Sequence, residues 1–328
     1  MSIIVPGIDK CPSTYARYEC KLDSKTLQIA KDELRESEAT RDAAMAQLRE
    51  FIAKHPQIQT CRTDGLFLLR YLRSTKFNVV AACEQLERYL TICETTPRYF
   101  KKIDPMEEQL RMVLDSRVLV PLGVDKDNRT VILFRLGELD PHKITTQMQI
   151  QAGALAIETL MEDEVFQVAG MVIIIDFQNT TMSHYSAWSM SDLKLIIEVV
   201  NDILSHRLKE IHLLQLPRYA AMVVDYCTTA LSPSLKERMK FHKSLEEFKD
   251  AIDETILPTI YGGKLSLEEA NERFLKRTLE ERDRILKHTE MFIDLSIPNP
   301  NSKNSNAGLH SNLADESVIG SFRKLNVD

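Results

Sequence analysis

The sequence predicts an α/β protein in which an N-terminal helical bundle precedes a mixed, largely parallel sheet flanked by helices. Residues 25–100 show apolar residues at helical spacing, with Asp64 and Asn78 placed to cap helices. Between residues 117 and 215, strand-like apolar runs alternate with helical segments, which is the pattern of strand–helix–strand units. The unbroken apolar run at 171–177 is typical of a strand that is buried on both faces.

The individual elements follow from apolar spacing, capping signals and turn residues. The predicted strands are 118–120, 130–136, 171–177 and 211–214. The predicted helices are 25–55, two between 64 and 97, 145–167, 191–204, 218–231, 234–240, one from 244, and a charged helix from 266 to about 294.

The chain divides into four predicted regions. Residues 1–24 form an irregular N-terminus and residues 25–100 the helical domain. Residues 101–295 form the α/β domain. Residues 296–328 are rich in Asn and Ser, a composition that predicts a disordered tail.

Composition excludes several classes of function. The net charge of −6 argues against a nucleic-acid partner that is recognised through overall positive charge. No apolar run approaches the ~18 residues that span a membrane, so any membrane contact is expected to be peripheral. The six cysteines form no C-x-x-C pair, which favours reduced thiols in a cytoplasmic protein.

Catalytic signatures are absent from the sequence. It contains no phosphate-binding glycine loop, nucleophile elbow or H-E-x-x-H motif. His206, His212 and His242 could be metal ligands, but His212 in an apolar strand is more typical of a hydrogen-bonded core histidine. Asp176 and Glu158 fit structural capping or ion pairing better than acid–base chemistry. We therefore predict no enzyme, no metal and no cofactor other than a bound hydrophobic lipid.

The segment after Pro217 is unusual because 219–224 is apolar on nearly all sides. A surface helix normally has a polar face. Such a segment is either one more core element or a lid that packs when closed and meets a membrane when open.

Charge is concentrated around this segment. Between His206 and Lys243 there are seven basic residues and three acidic ones. Basic side chains near an anionic lipid surface contribute ~1 kcal/mol each. A solvated basic face is the alternative, but an apolar helix bordered by bases has both components of peripheral membrane binding.

The sequence resembles the CRAL-TRIO (Sec14-like) family, in particular the branch of α-tocopherol transfer protein, cellular retinaldehyde-binding protein and clavesin. The resemblance covers about residues 40–290. The segments that carry it, in order, are 67–73 with Phe77, 173–177, 211–214 with Pro217, 236–238 and 257–263.

This resemblance implies a mobile gate helix, at 217–231 here, over a hydrophobic cavity. The implied cavity-lining residues are Ile150, Ile157, Ile173, Ile175, Ile196, Val199, Val200, Leu204, Ile211, Val223 and Val224. It also implies a basic cleft for phosphoinositide headgroups. The residues that match this cleft are Lys76, Arg207, Lys209 and Arg238.

The sequence departs from the family pattern at several positions. A lysine of the basic cleft corresponds to Ser234, and an arginine corresponds to Thr75, where Lys76 is a substitute. Two serines that position the ligand of the tocopherol carrier correspond to Gly153 and Ile157. A glycine usual after the 171–177 strand is Asn179.

The leading functional hypothesis is a non-enzymatic carrier of one tocopherol-, retinoid- or other isoprenoid- or acyl-like lipid. It would exchange this ligand at phosphoinositide-containing endosomal or other intracellular membranes, as a cytoplasmic monomer. The alternatives are a lipid-sensing adaptor in membrane trafficking, which binds a protein through 267–294 or the tail, and an enzyme acting on a lipid.

Overall fold

The computed structural model describes residues 5–203 and 207–299. The strands are β1 Ile58–Thr60, β2 Leu119–Val124, β3 Thr130–Arg135, β4 Met171–Asp176, β5 Leu208–Leu214, β6 Met239–His242 and β7 Phe292–Ile293. The helices of the first half are α1 Ser24–Leu34, α2 Glu38–Lys54, α3 Gly65–Ser74, α4 Val79–Thr95, α5 Pro97–Phe100, α6 Glu108–Asp115, α7 Thr146–Leu160 and α8 Glu164–Ala169. Those of the second half are α9 Met182–Ser186, α10 Met190–Glu198, α11 Ala221–Ala230, α12 Pro233–Lys236, α13 Leu245–Ala251, α14 Leu267–Glu280 and α15 Arg282–Thr289.

The main sheet has five strands in the order β2-β3-β4-β5-β6. β2 and β3 pair antiparallel, and the three remaining pairings are parallel. Ile173 of β4 lies between Ile132 of β3 and Ile211 of β5. The prediction of a mixed, largely parallel sheet behind a helical N-terminal region is confirmed, and β4 is its central strand.

The predicted helix from 266 to about 294 is divided at Glu281 into α14 and α15, and β7 lies within its predicted end. Two further predicted helices are each divided at a capping residue. The pattern at 25–55 breaks at Arg35, whose φ of 63° is left-handed, and Ser37 then caps α2. The pattern at 145–167 breaks before Asp163, whose carboxylate accepts from the Val165 N–H and starts α8. Each of the latter two breaks lies where a capping side chain competes with helix propagation.

The predicted helix at 234–240 is wrong beyond its first turn. α12 ends at Lys236, and Met239–His242 form β6, which pairs in parallel with β5. A four-residue edge strand leaves little periodicity to detect, and its pairing partner is distant in sequence. β1 and β7 were missed for the same reason. They pair antiparallel and join the helical bundle to the end of the described chain.

The two faces of the sheet pack against different layers. One face contributes Val172, Ile174 and Leu133 to a core with α13 and α14. The other contributes Ile132, Ile211 and Leu213 to a larger core with α6, α7 and α8. Among the described residues, no helix is both long enough and apolar enough to cross a membrane.

Candidate functional site

The two faces of the central strand β4 differ in how completely they are covered. Val172 and Ile174, which face α13 and α14, are 2% and 0% exposed. Ile173 and Ile175, on the opposite face, are only partly buried. Because β3 and β5 flank β4, the exposed part of Ile173 and Ile175 is reached from the face of the sheet and not from an edge. Space therefore lies over Ile173 and Ile175 that protein atoms do not fill.

Helix α7 presents the same kind of surface. Ile150 packs with Leu195 and Val199, while Gly153 and Ile157, one and two turns further on, are partly buried. A Cβ atom built on Gly153 would meet no heavy atom within 4 Å. The helix therefore borders open space beside Gly153 and Ile157, whereas the predicted lining residue Ile150 is buried in a core.

The segment after α10 changes helical form beside this space. Residues Val199–Ile203 form a π-helical turn, a geometry that is frequent at functional sites. Val199 is buried, whereas Ile196 and Val200 are partly buried against the neighbouring cores. Leu204, another predicted lining residue, lies outside the described residues.

The predicted gate is a short 3₁₀ turn followed by α11. Val224 is 8% exposed and Val223 is partly buried, so both lie on or near the inward side. Tyr219 and Met222 are 44% and 58% exposed. The helix therefore has apolar side chains on its outer surface as well as its inner one, as the sequence predicts.

Polar contacts hold the gate at its two ends. At the start, the Tyr219 hydroxyl donates to the Thr180 carbonyl, beyond the carboxyl end of β4. At the end, the Asn201 amide donates to the Ala230 carbonyl at 3.1 Å and accepts from the Ser232 N–H at 3.0 Å. Sequence reasoning missed Asn201, because only the folded chain places it beside α11.

Two of the predicted headgroup residues share one acidic partner. Arg207 donates to Glu33 of α1 and to the Val168 carbonyl. Lys209 Nζ lies 2.8 Å from the same Glu33 oxygen. Burial opposes ionisation of Glu33, but the hydrogen bonds from Lys209 and Arg207 outweigh it and lower the pKa of the Glu33 carboxyl.

Arg238 completes a basic cluster with Arg207 and Lys209. It donates to the Leu208 carbonyl and, at 3.0 Å, to the Ser234 hydroxyl. Burial and the positive charges of Arg207 and Arg238 lower the pKa of Lys209, while Glu33 opposes this shift. Since Ser234 follows the end of α11, the cluster lies beyond the far end of the gate.

Lys76 is exposed, and among the described residues no hydrogen bond or ion pair links its side chain to Arg207, Lys209 or Arg238. Its neighbour Phe77 packs against the small core that contains Val168, the residue whose carbonyl accepts from Arg207. Lys76 therefore lies on the same side of the molecule. Lys76 and Phe77 both have left-handed φ angles, 51° and 62°.

A buried ion-pair network joins α3 to α7 and the residues that follow it, and sequence reasoning missed it. Arg70 pairs with Glu158 at 2.8 Å, and Arg62 pairs with Glu162 at 2.8 Å. Burial raises the pKa of Glu162, but Arg62, Arg284 and Arg70 outweigh it and lower that pKa to about 2. The expectation that Glu158 has a structural role agrees with these contacts.

The remaining candidate residues also have structural surroundings. Asp176 accepts from the Tyr261 hydroxyl. His212 is buried and hydrogen-bonded to His242 at 2.8 Å and to Glu210 at 2.9 Å. The prediction that it is a hydrogen-bonded core residue is confirmed. In the described ranges, no three His, Cys, Asp or Glu side chains converge as metal ligands. His206 lies outside those ranges.

Asn179 has a φ of 61°. Among residues with a side chain, Asn is one of the few that adopts this left-handed conformation readily. The departure from the glycine usual at this position is therefore compatible with the same turn.

One small cavity lies among the helices, away from the gate. Its volume is about 10 Å³, and its lining includes Tyr89, Cys93 and His288. Such a volume holds about one water molecule. It is too small for a lipid and plays no part in the site beside α11.

Fold and site together define an α/β protein whose sheet carries a partly open apolar face beneath a short helix. Residues 114–263 match the CRAL/TRIO domain. Clavesin-2 of Rattus norvegicus and of Homo sapiens are each 28% identical to this chain over 246 residues, 74% of this chain and 75% of theirs. Clavesin-1 of Xenopus laevis is 27% identical over 246 residues, 74% of each chain.

The crystal structure of Sfh5 aligns with a TM-score of 0.44 at 12% identity, covering 80% of this chain and 100% of that one. A likeness at this level carries no argument about function. Residues 114–263 therefore carry a CRAL/TRIO domain, and the chain around that domain is similar to the clavesins.

Proposed function

We propose that the chain is a non-enzymatic carrier that holds one hydrophobic lipid between the sheet and α11 and exchanges it at anionic membranes. The observation that carries this proposal is the difference between the two faces of β4. A central strand whose side chains are buried on one face and partly accessible on the other borders a space suited to an apolar ligand.

The chemistry of the surrounding residues suits an isoprenoid or acyl chain. Ile157, Ile173, Ile175, Val200 and Val223 supply aliphatic surface, and Gly153 leaves room beside α7. Each buried CH₂ group contributes ~0.8 kcal/mol, so a long chain needs few polar contacts to bind tightly. Such a lining selects for shape and length rather than for a reactive group.

The gate and the basic cluster suit release at a membrane. Tyr219 and Met222 expose apolar surface on α11, and Arg207, Lys209 and Arg238 lie beyond its far end. An apolar helix can enter the interface while cations contact lipid phosphates. The headgroup chemistry that fits the cluster is that of a phosphoinositide.

Native mass spectrometry of the intact chain after incubation with lipid vesicles tests ligand binding. We expect one lipid molecule per chain, retained after removal of the vesicles. A chain that never retains lipid, whatever the class offered, would refute the carrier proposal.

The double variant Arg207→Ala/Arg238→Ala tests the headgroup site separately. We expect weaker binding to vesicles that contain phosphatidylinositol bisphosphate, with lipid loading unchanged. Vesicle flotation at low salt is the measurement, because exposed charge interactions are screened at high salt. Equal flotation of wild type and double variant would refute the headgroup site and leave the carrier intact.

A further inference from the structure

Glu33 is the acidic residue in the basic cluster that the proposed function assigns to headgroups. One of its carboxylate oxygens contacts both Arg207 and Lys209, and its side chain is 45% exposed. A phosphate that binds the same two cations would need the same space and the same donors. The carboxylate therefore stands where an anionic ligand would bind.

The position of Glu33 is determined by the packing of α1. Ala30 and Leu34 are buried in a small core with Val168 of α8, which turns the last turn of α1 toward the start of β5. An acidic side chain in the last turn of a helix is disfavoured by the helix dipole. Arg207 and Lys209 offset this disadvantage, so the helix and the cluster stabilise each other.

We propose that Glu33 is an internal competitor that sets the charge an anionic headgroup needs to bind. This inference rests on the proposed headgroup site. A headgroup with a single negative charge replaces the Glu33 carboxylate at Arg207 and Lys209 and gains no further contact. A polyphosphorylated headgroup brings more charge, reaches Arg238 as well, and gains contacts that Glu33 does not make.

The tethering of Glu33 strengthens its effect. A group held on the same chain competes at an effective concentration that reaches millimolar values for short links, without the entropy loss of a free ligand. Weak monoanionic lipids are excluded by such a competitor, whereas multivalent ones displace it. Glu33 thus raises the affinity that any anionic headgroup needs for measurable binding, and it is not itself a headgroup ligand.

Glu33→Gln keeps the shape of the side chain and removes its charge. The matched control is Asp32→Asn, which makes the same change of net charge on the same helix. Asp32 is exposed and accepts only from Gln28 at 2.8 Å among the side-chain contacts of the structure's described part. Both variants and the wild type are measured with phosphatidylserine vesicles, phosphatidylinositol bisphosphate vesicles and soluble inositol trisphosphate.

For Glu33→Gln we expect affinity for phosphatidylserine vesicles to rise about three- to fivefold, as for the loss of a partly exposed ion pair. Affinity for bisphosphate vesicles and for inositol trisphosphate should rise by about the same factor, because each ligand must displace the same carboxylate from the same two cations. Asp32→Asn should leave all three affinities nearly unchanged, since Asp32 does not contact the basic cluster in the described part of the chain.

Three results would overturn the proposal. Equal effects of the two variants would mean that only net charge matters. Weaker binding by Glu33→Gln would mean that Glu33 organises the basic side chains for the ligand. A change on vesicles with none on inositol trisphosphate would place the effect at the membrane surface. None of these requires failure of the headgroup site itself, which the Arg207→Ala/Arg238→Ala variant tests.

Discussion

The contact between α3 and α7 and the contact between α11 and the sheet are built from opposite kinds of interaction. At the first, guanidinium and carboxylate groups are paired in the interior, as in Arg70 with Glu158. At the second, Val224 is buried in the same core as Ile211 and Leu213 of the sheet, and polar contacts are found at the ends of the helix.

This difference decides which of the two can open. Separating α3 from α7 would leave charges unpaired in a low-dielectric interior, which costs several kcal/mol per ion. Lifting α11 exposes mainly apolar surface, which a membrane or a lipid can cover. Directional charge pairs therefore suit a fixed junction, and non-directional apolar contacts suit a gate.

The largest effect is expected at the ion-paired junction. Arg70→Ala should lower the free energy of unfolding by about 3–5 kcal/mol, because Glu158 and Glu162 lose a buried partner. Urea unfolding followed by circular dichroism is the measurement. Removal of the exposed Lys54–Glu50 pair by Lys54→Ala is the control and should change little. Similar urea midpoints for Arg70→Ala and Lys54→Ala would contradict the proposal that buried ion pairs fix α3 to α7.

A charge in the gate tests the apolar contact. Val223→Glu should slow lipid transfer between vesicles about tenfold, the equivalent of 1.4 kcal/mol, since a carboxylate would face the aliphatic lining. Thr229→Glu places the same charge on the exposed side of α11 and should transfer lipid at nearly the wild-type rate. Fluorescent-lipid transfer assays measure both. Unchanged transfer by Val223→Glu would assign the gate to another element.

The smallest effect is expected at Gly153, where the open space beside α7 can be probed in two steps. Gly153→Ala should stabilise the protein by about 0.5–1 kcal/mol, as in other helix interiors, and leave lipid binding intact. Gly153→Leu should reduce lipid occupancy several-fold without unfolding the chain, because its side chain enters the ligand space. Thermal unfolding and native mass spectrometry distinguish the two. Full lipid occupancy of Gly153→Leu would mean that the ligand does not lie beside Gly153.

Much of the fold was predictable because its signals are local. The strand at 171–177 and the caps at Asp64, Asn78 and Ser266 depend on residues within or beside each element. The expected burial of that strand on both faces was wrong for the face with Ile173 and Ile175. β6 was not predictable, since four residues acquire strand geometry only through pairing with β5. The predicted disordered tail, residues 296–328, lies outside the described residues except for 296–299.

The candidate site was predictable only in part. Arg207, Lys209 and Arg238 stand out as cations near an apolar helix, and the structure brings them together. Glu33 and Asn201 did not stand out, because each lies far along the chain from the group it contacts. Side chains that act across the fold carry no local signal.

The alternation of strands and helices, the apolar character of α11 and the excess of cations around it can all be read from the amino-acid sequence. These depend on neighbouring residues and on periodicity. Three other features emerge only on folding: one face of β4 is covered less than the other, an acidic side chain lies among the cations, and buried ion pairs join the helical bundle to α7. These depend on which distant segments are packed together, and pairwise contacts of that kind leave no period in a single sequence.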